Sequence, residues 1–383
     1  MVAGPPAPTV PAANPFIAHD GDLAWAAFAD ANGLGLDERV GLVAELDHAV
    51  REVAGVGFVP TPFGRSDALS DALGFGDSGG VWVKDETGAV GGSQKARHLF
   101  TILLHLVAAE RLGQLTIRPP LAIASCGNAA LAAATLAAAA RWPIDVYVPT
   151  WMGDGFGREL DRLSARVHRC ERRAADPPGD PAMLRFREAV AAGAVPFTVQ
   201  GPENALALDG GRSIGWEIGE QLGAATLDRT FVQVGGGALA TCLGSGLRDV
   251  VDGARIVAVQ AEGCAPLARA WDRAGDDVAD GPAALAGQWA ELMTPWPDPH
   301  SLADGILDDE TYDWLGVFAV IGPDGERPVV VTESDIVEAN RLAREAGFDV
   351  SPTGSAGLGG VLATIDAIRP DEQVAVVMSG IAR

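Results

Sequence analysis

Lysine is almost missing from this chain of 383 residues. Of its 28 lysines and arginines only Lys84 and Lys95 are lysines, which leaves 26 arginines. A chain that uses arginine wherever a surface positive charge suffices keeps lysine where guanidinium fails. Guanidinium holds its proton in a protein and cannot form an imine, whereas a desolvated amine can lose its proton and form one. Positive charge of any kind is also short: 51 acidic residues leave a net charge of −23. Such a surface repels nucleic acid and anionic membranes, so neither is an expected partner. The four cysteines, Cys126, Cys170, Cys242 and Cys264, form no CxxC and no spacing with histidine that suits zinc. They are expected to be reduced thiols, with no metal site. Long apolar runs are missing as well. The most alanine-rich stretch, Ala129 to Ala140, is bounded by Asn128 and Arg141 and is too short to span a bilayer. Met1 to Pro15 is rich in proline and alanine without a basic segment, so it reads as a disordered lead-in and not as a signal peptide. A cytoplasmic protein is expected.

What is present reads as an enzyme-sized α/β chain. Hydrophobic residues make up 48% and charged residues 21%, and the length suits two domains. Val40, Val43, Leu46, Val50 and Val53 predict an amphipathic helix capped by Asp37 and closed at Gly55. Strands are predicted at 81–84, 121–124, 144–148, 229–234, 255–260 and 373–378, with helices following the four from 121–124 to 255–260. Continuous apolar strands alternating with amphipathic helices predict parallel sheets covered on both faces. Ala174 to Pro181 reads as a surface loop, and 276–327 has no clear period.

Three strand-to-helix turns carry the candidate chemistry. Val81 to Lys84 leads through Gly88, Gly91 and Gly92 to Ser93, Gln94 and Lys95. Ser93 is a candidate N-cap, which puts Lys95 in a first helical turn, where the helix dipole disfavours an extra proton on the amine. The alternative is a solvated lysine at a helix start. Ser125-Cys126-Gly127-Asn128 closes the second strand and opens the alanine-rich helix. Unpaired N–H groups there suit an anion, although a simple capped turn has the same residues. Val234-Gly235-Gly236-Gly237-Ala238 follows an apolar strand, and consecutive glycines let backbone N–H groups approach a phosphate. A tight strand-to-helix connection is again the alternative.

These residues, in this order, resemble the pyridoxal-phosphate enzymes of fold type II, the tryptophan-synthase-β-like superfamily. The resemblance rests on Lys84-Asp85-Glu86, on Gly92-Ser93-Gln94-Lys95 with Arg97, on the Asn128 and triple-glycine turns, and on Ser379-Gly380 after the last strand. Asp209 to Leu222 and Ala303-Asp304-Gly305 resemble segments of threonine synthases and threonine dehydratases. Gln94 stands where the family usually has an aromatic residue or histidine, and Cys126 where it has a hydroxyl residue.

The resemblance implies a two-domain α/β fold with mostly parallel sheets and a smaller domain inserted in a larger one. It places an N-terminal extension at 1–57, the large cofactor-binding domain at 58–96 and 196–383, and the small domain at 97–195. It further implies that Lys95 carries pyridoxal 5′-phosphate as a Schiff base and that Asn128, Gly235, Gly236, Gly237, Ala238 and Ser379 also hold the cofactor. Ser125, Cys126, Gly127 and Asn128 would hold the substrate carboxylate. The implied reaction is β-elimination (deamination) of a small hydroxy amino acid such as serine or threonine. Threonine-synthase-like γ-elimination and replacement on an O-phosphorylated amino acid is an alternative, as is a non-catalytic protein that binds an amino acid. The family is usually dimeric, so a homodimer is expected. With Ser379 so near the end of the sequence, no C-terminal amino-acid-sensing domain is expected.

Overall fold

Residues 14–177, 179–322 and 325–383 are described by the computed structural model. The disordered lead-in expected at the N-terminus lies, up to residue 13, outside the described residues. The chain forms two α/β layers around two separate sheets, the mixed α/β architecture with parallel strands expected of fold type II.

The larger sheet has six strands in the order β1-β2-β10-β7-β8-β9. These are β1 (Phe63–Ser66), β2 (Gly80–Asp85), β7 (Arg229–Gln233), β8 (Arg255–Ala261), β9 (Val329–Val331) and β10 (Gln373–Met378). Only β1 runs antiparallel to its neighbour. The smaller sheet is parallel throughout, in the order β5-β4-β3-β6. Its strands are β3 (Leu121–Ala124), β4 (Ile144–Pro149), β5 (Arg166–Cys170) and β6 (Val195–Pro196). Strands β7 and β10 lie mid-sheet, and β7 is buried along its whole length. The apolar runs Phe231-Val232 and Val374 to Met378 follow from that position, because a parallel strand covered on both faces has no solvent side to fill with polar residues.

A glycine-rich helix, Pro352–Ala363, packs on this sheet. Its small residues allow unusually close contact: a Cβ on Gly357 would meet the Phe231 carbonyl oxygen at 2.9 Å, and one on Gly360 would meet Val259 Cγ2 at 2.5 Å. The helix therefore lies against the strands at a separation no larger side chain permits, and its first turn is fixed beside the ends of β7 and β10.

Local readings needed correction at two caps. Ser93 does not cap the Lys95–Arg111 helix; it is extended (φ −164°, ψ 163°), forms a bridge with Gly380, and the helix begins directly after Gln94. The N-terminal helix spans Leu36–Ala54 with Gly35 at its cap, while Asp37 sits in the first turn; Glu38 Oε2 accepts from the Gly35 N–H at 3.0 Å. Its left-handed end at Gly55, φ 78°, is the one the sequence indicates. Strands β1, β5, β6 and β9 lie outside the strands expected from the sequence. They are short or partly exposed, with little apolar pattern to read.

Candidate active site: a cleft at the strand ends

The carboxyl ends of β3, β4, β7 and β10, together with the lysine loop that follows β2, open into one cleft of about 930 Å³. Open α/β sheets place ligands at such strand ends. Lys95, Ser125, Cys126, Gly127, Asn128, Gly235, Gly236, Gly237, Ala238 and Ser379 all line it.

Lys95 is held there by a seam between distant parts of the chain. Gln94 N–H donates to the Ser379 carbonyl at 3.2 Å, and Ile381 N–H donates to the Gly92 carbonyl at 2.9 Å. This seam fixes the lysine loop to the end of β10. Burial lowers the Lys95 pKa, with Asp308, Cys242 and Asp313 pulling the other way. Desolvation of the charged form is the dominant effect, as nucleophilic amine chemistry requires.

The other lysine has different surroundings. Lys84 is completely buried, 2.6 Å from Glu217 Oε2 and 2.8 Å from the Thr61 carbonyl oxygen. Arg97, two residues after Lys95, donates to Glu86 Oε2 at 2.9 Å and to Glu217 Oε1 at 2.6 Å. Two cations and two carboxylates thus neutralise one another beneath the cleft, each satisfied by hydrogen bonds, the condition under which buried ions are tolerated.

The glycine turn is a cradle with no side chain of its own. Gly237 has φ 98°, a left-handed conformation that favours glycine, and the Ala238–Arg248 helix starts immediately after it. A Cβ on Gly235 would lie 2.6 Å from Asp308 Oδ2 and 2.8 Å from Ile306 Cα. Asp308 therefore rests its carboxyl against the turn. Burial pushes its pKa up to about 6, moderated by Lys95 and raised further by Asp309. Asp313 is pushed by burial to about 7, although the Gly201 N–H donates to it at 3.2 Å.

At the third turn, Ser125 Oγ accepts from the Gly127 N–H at 3.2 Å, and the Asn128–Ala139 helix begins at Asn128. The first N–H groups of that helix have no intrahelical partner and face the cleft end. Burial raises the Cys126 thiol pKa, with Asp304 adding to the effect, so the thiol stays protonated. Arg383 Nε donates to Asn128 Oδ1 at 2.8 Å.

Several lining residues escaped sequence reasoning. Gln233, Asp308, Asp309, Asp313, Thr353 and Arg383 all border the cleft. Gln233 left a legible signal, a polar residue set between the apolar Val232 and Val234. The aspartates left none, because 301–313 carries no regular period. Asp304 and Gly305 of the Ala-Asp-Gly segment do line the cleft.

A family model described as "Pyridoxal-phosphate dependent enzyme" matches residues 56–380. The chain belongs to that family. It is 26% identical over 329 residues to a threonine synthase of Methanosarcina acetivorans, covering 84% of this chain and 74% of the relative. Among solved structures it is similar to threonine deaminase isoform 2 of Solanum lycopersicum, with TM-score 0.65, 18% identity, and 91% of this chain and 85% of the other covered. It is similar also to a pyridoxal 5′-phosphate-dependent aspartate racemase, with TM-score 0.66, 19% identity, and 89% and 95% covered. Those two structural likenesses establish the fold. The protein is a pyridoxal-phosphate-dependent enzyme, and its cleft fits the cofactor: it offers an amine in Lys95 and the glycine turn with room only for backbone. It also offers Ser93 Oγ and Gln94 Oε1, buried polar atoms that have no partner among the described residues. No helix of the described residues is long and apolar enough to cross a membrane.

Proposed function

We propose that this enzyme eliminates the β-substituent of a small hydroxy amino acid such as serine or threonine, releasing ammonia and a keto acid. The observation that carries the reading is the group at the end of β10: Ser379 presents a hydroxyl, not a carboxylate, to the cleft. Pyridoxal phosphate, when bound, supplies an electron sink for a carbanion at the substrate α-carbon. Ser379, if it meets the ring nitrogen, would offer it a hydroxyl and not a carboxylate, and so would keep that sink weak, which favours loss of a β-leaving group over transamination.

The remaining roles belong to side chains and backbone of this chain. Lys95 would hold the cofactor and, once released by substrate, carry the α-proton as a free amine of lowered basicity. Gly235, Gly236, Gly237 and Ala238 would hold the phosphate through backbone N–H groups, with Asn128 beside the ring. Ser125, Cys126, Gly127 and Asn128 would hold the substrate carboxylate and so fix which bond at the α-carbon breaks. We also propose that 97–195, which carries β3, β4 and β5 of the smaller sheet, forms the inserted small domain of this arrangement. We further propose a homodimeric, cytoplasmic enzyme.

The likeness to a threonine synthase favours one second reading, elimination and replacement on an O-phosphorylated amino acid. Charge in the cleft opposes it. Asp180, Asp304, Asp308, Asp309 and Asp313 line the cleft against Lys95 and Arg383 as the only cations among its described lining residues. A second phosphate has little to bind there. Incubating the purified holoenzyme with L-serine, L-threonine or O-phosphohomoserine decides between them. Keto acid and ammonia from the first two support the proposal, whereas phosphate and threonine from the third select the alternative.

A further inference from the structure

Gln233 is buried at 3% exposure on a strand whose neighbours Phe231, Val232 and Val234 are apolar and at most 1% exposed. A polar amide there requires an explanation. Its Nε2 lies 2.8 Å from the Gly354 carbonyl oxygen, 3.1 Å from that of Val377, 3.3 Å from that of Thr353, and 2.8 Å from Ser379 Oγ. Its Oε1 has no partner among the described residues. Three carbonyl oxygens around one amide atom settle which way the amide is turned, since the opposite orientation would set oxygen against oxygen.

We infer that Gln233 is a positioning residue that fixes the Ser379 hydroxyl as a hydrogen-bond donor into the cleft, toward an unprotonated ring nitrogen of the cofactor. An amide nitrogen has two protons and no lone pair to offer, so Ser379 Oγ can only accept from it. The hydroxyl proton must then go elsewhere. Ser379 is 8% exposed and lines the cleft, and no protein acceptor for its proton exists among the described residues. A hydroxyl polarised by accepting one hydrogen bond is a better donor in the next. A neutral pyridine nitrogen would satisfy that proton, whereas a protonated ring nitrogen would leave it buried and unpaired. The orphaned Oε1 is consistent with an amide retained for its nitrogen. The fold supports this arrangement through the start of the Pro352–Ala363 helix, which supplies Thr353 and Gly354.

The inference rests on the proposed position of Ser379 at the ring nitrogen, and its test needs no substrate. Holoenzyme is prepared with pyridoxal phosphate isotopically labelled at the ring nitrogen, and that nitrogen is observed by NMR across neutral pH. In the wild type it should be unprotonated. In Gln233→Leu, with cofactor still bound, it should shift toward the protonated position as pH falls, and Gln233→Asn should restore part of the wild-type behaviour if its shorter amide reaches Ser379. A protonated wild-type nitrogen, or a Gln233→Leu signal with unchanged pH response, would overturn the inference. Gln233→Met serves if the leucine variant does not fold, and a protonated wild-type nitrogen overturns the inference without any variant. Failure of the elimination reading would appear separately, as no keto acid from serine or threonine whatever the nitrogen signal.

Discussion

Lys84 Nζ sits 2.6 Å from Glu217 Oε2, both side chains essentially without solvent, while Arg97 Nη1 meets the other Glu217 oxygen at 2.6 Å. One carboxylate therefore bridges two buried cations, with Glu86 sharing Arg97. Glu217→Ala should destabilise the protein by roughly 3–5 kcal/mol, the usual consequence of stranding buried charge. Urea denaturation of the two proteins measures this. Lys95→Ala removes no such compensation and should leave the urea midpoint nearly unchanged, which separates the structural lysine from the chemical one.

The glycine turn predicts a defect in cofactor retention. A Cβ at Gly236 would come within 3.3 Å of Tyr312 Cδ2 and 3.4 Å of Asp308 Oδ2, contacts that small shifts relieve. Gly236→Val should fold, yet its branches crowd the space a phosphate needs. Equilibrium dialysis should show cofactor affinity reduced by about tenfold or more, ~1.4 kcal/mol. Unchanged affinity would move the phosphate to another part of the cleft.

Asp308 predicts a pH dependence. Its carboxyl rests on the same turn and its pKa is raised to about 6. A bound phosphate is compatible with the neutral acid and repelled by the carboxylate. Binding therefore takes up a proton, so affinity should be greatest below the Asp308 pKa and fall as pH rises through it. In Asp308→Asn this contribution should vanish and affinity at higher pH should exceed that of the wild type. Cofactor titrations of both proteins over the range check the sign, and the difference between them removes the phosphate's own ionisation.

Ser379→Asp should place a carboxylate against the ring nitrogen and strengthen the electron sink. Keto acid formation should slow by about tenfold or more, ~1.4 kcal/mol in barrier, while a long-wavelength absorbance persists during turnover. Sustained transamination by the wild type would contradict the elimination mechanism.

Much of the site could be read from sequence because three of its parts are strand-turn-helix units. Lys95, Asn128 and the Gly235–Gly237 turn each follow an apolar strand, and local pattern is enough to place them. Ser93 has the residue type of a cap but not its conformation, because its pairing with Gly380, remote in sequence, holds it extended. The same holds for Asp308 and Gly235, which meet only through the fold, and the 301–313 segment has no periodicity to announce it. Gln233 was visible as a polar residue between two valines. What it touches depends on the end of β10 and on the first turn of the Pro352–Ala363 helix, neither of which local pattern connects to it.

With two lysines in the chain, the central claim reduces to a choice. Reduction of the holoenzyme with borohydride fixes the cofactor to its lysine, and peptide mapping by mass spectrometry identifies the site. The label should fall on the peptide containing Lys95, with Lys84 unmodified in its buried pair with Glu217. A label on Lys84, or cofactor released without any lysine adduct, would contradict the account.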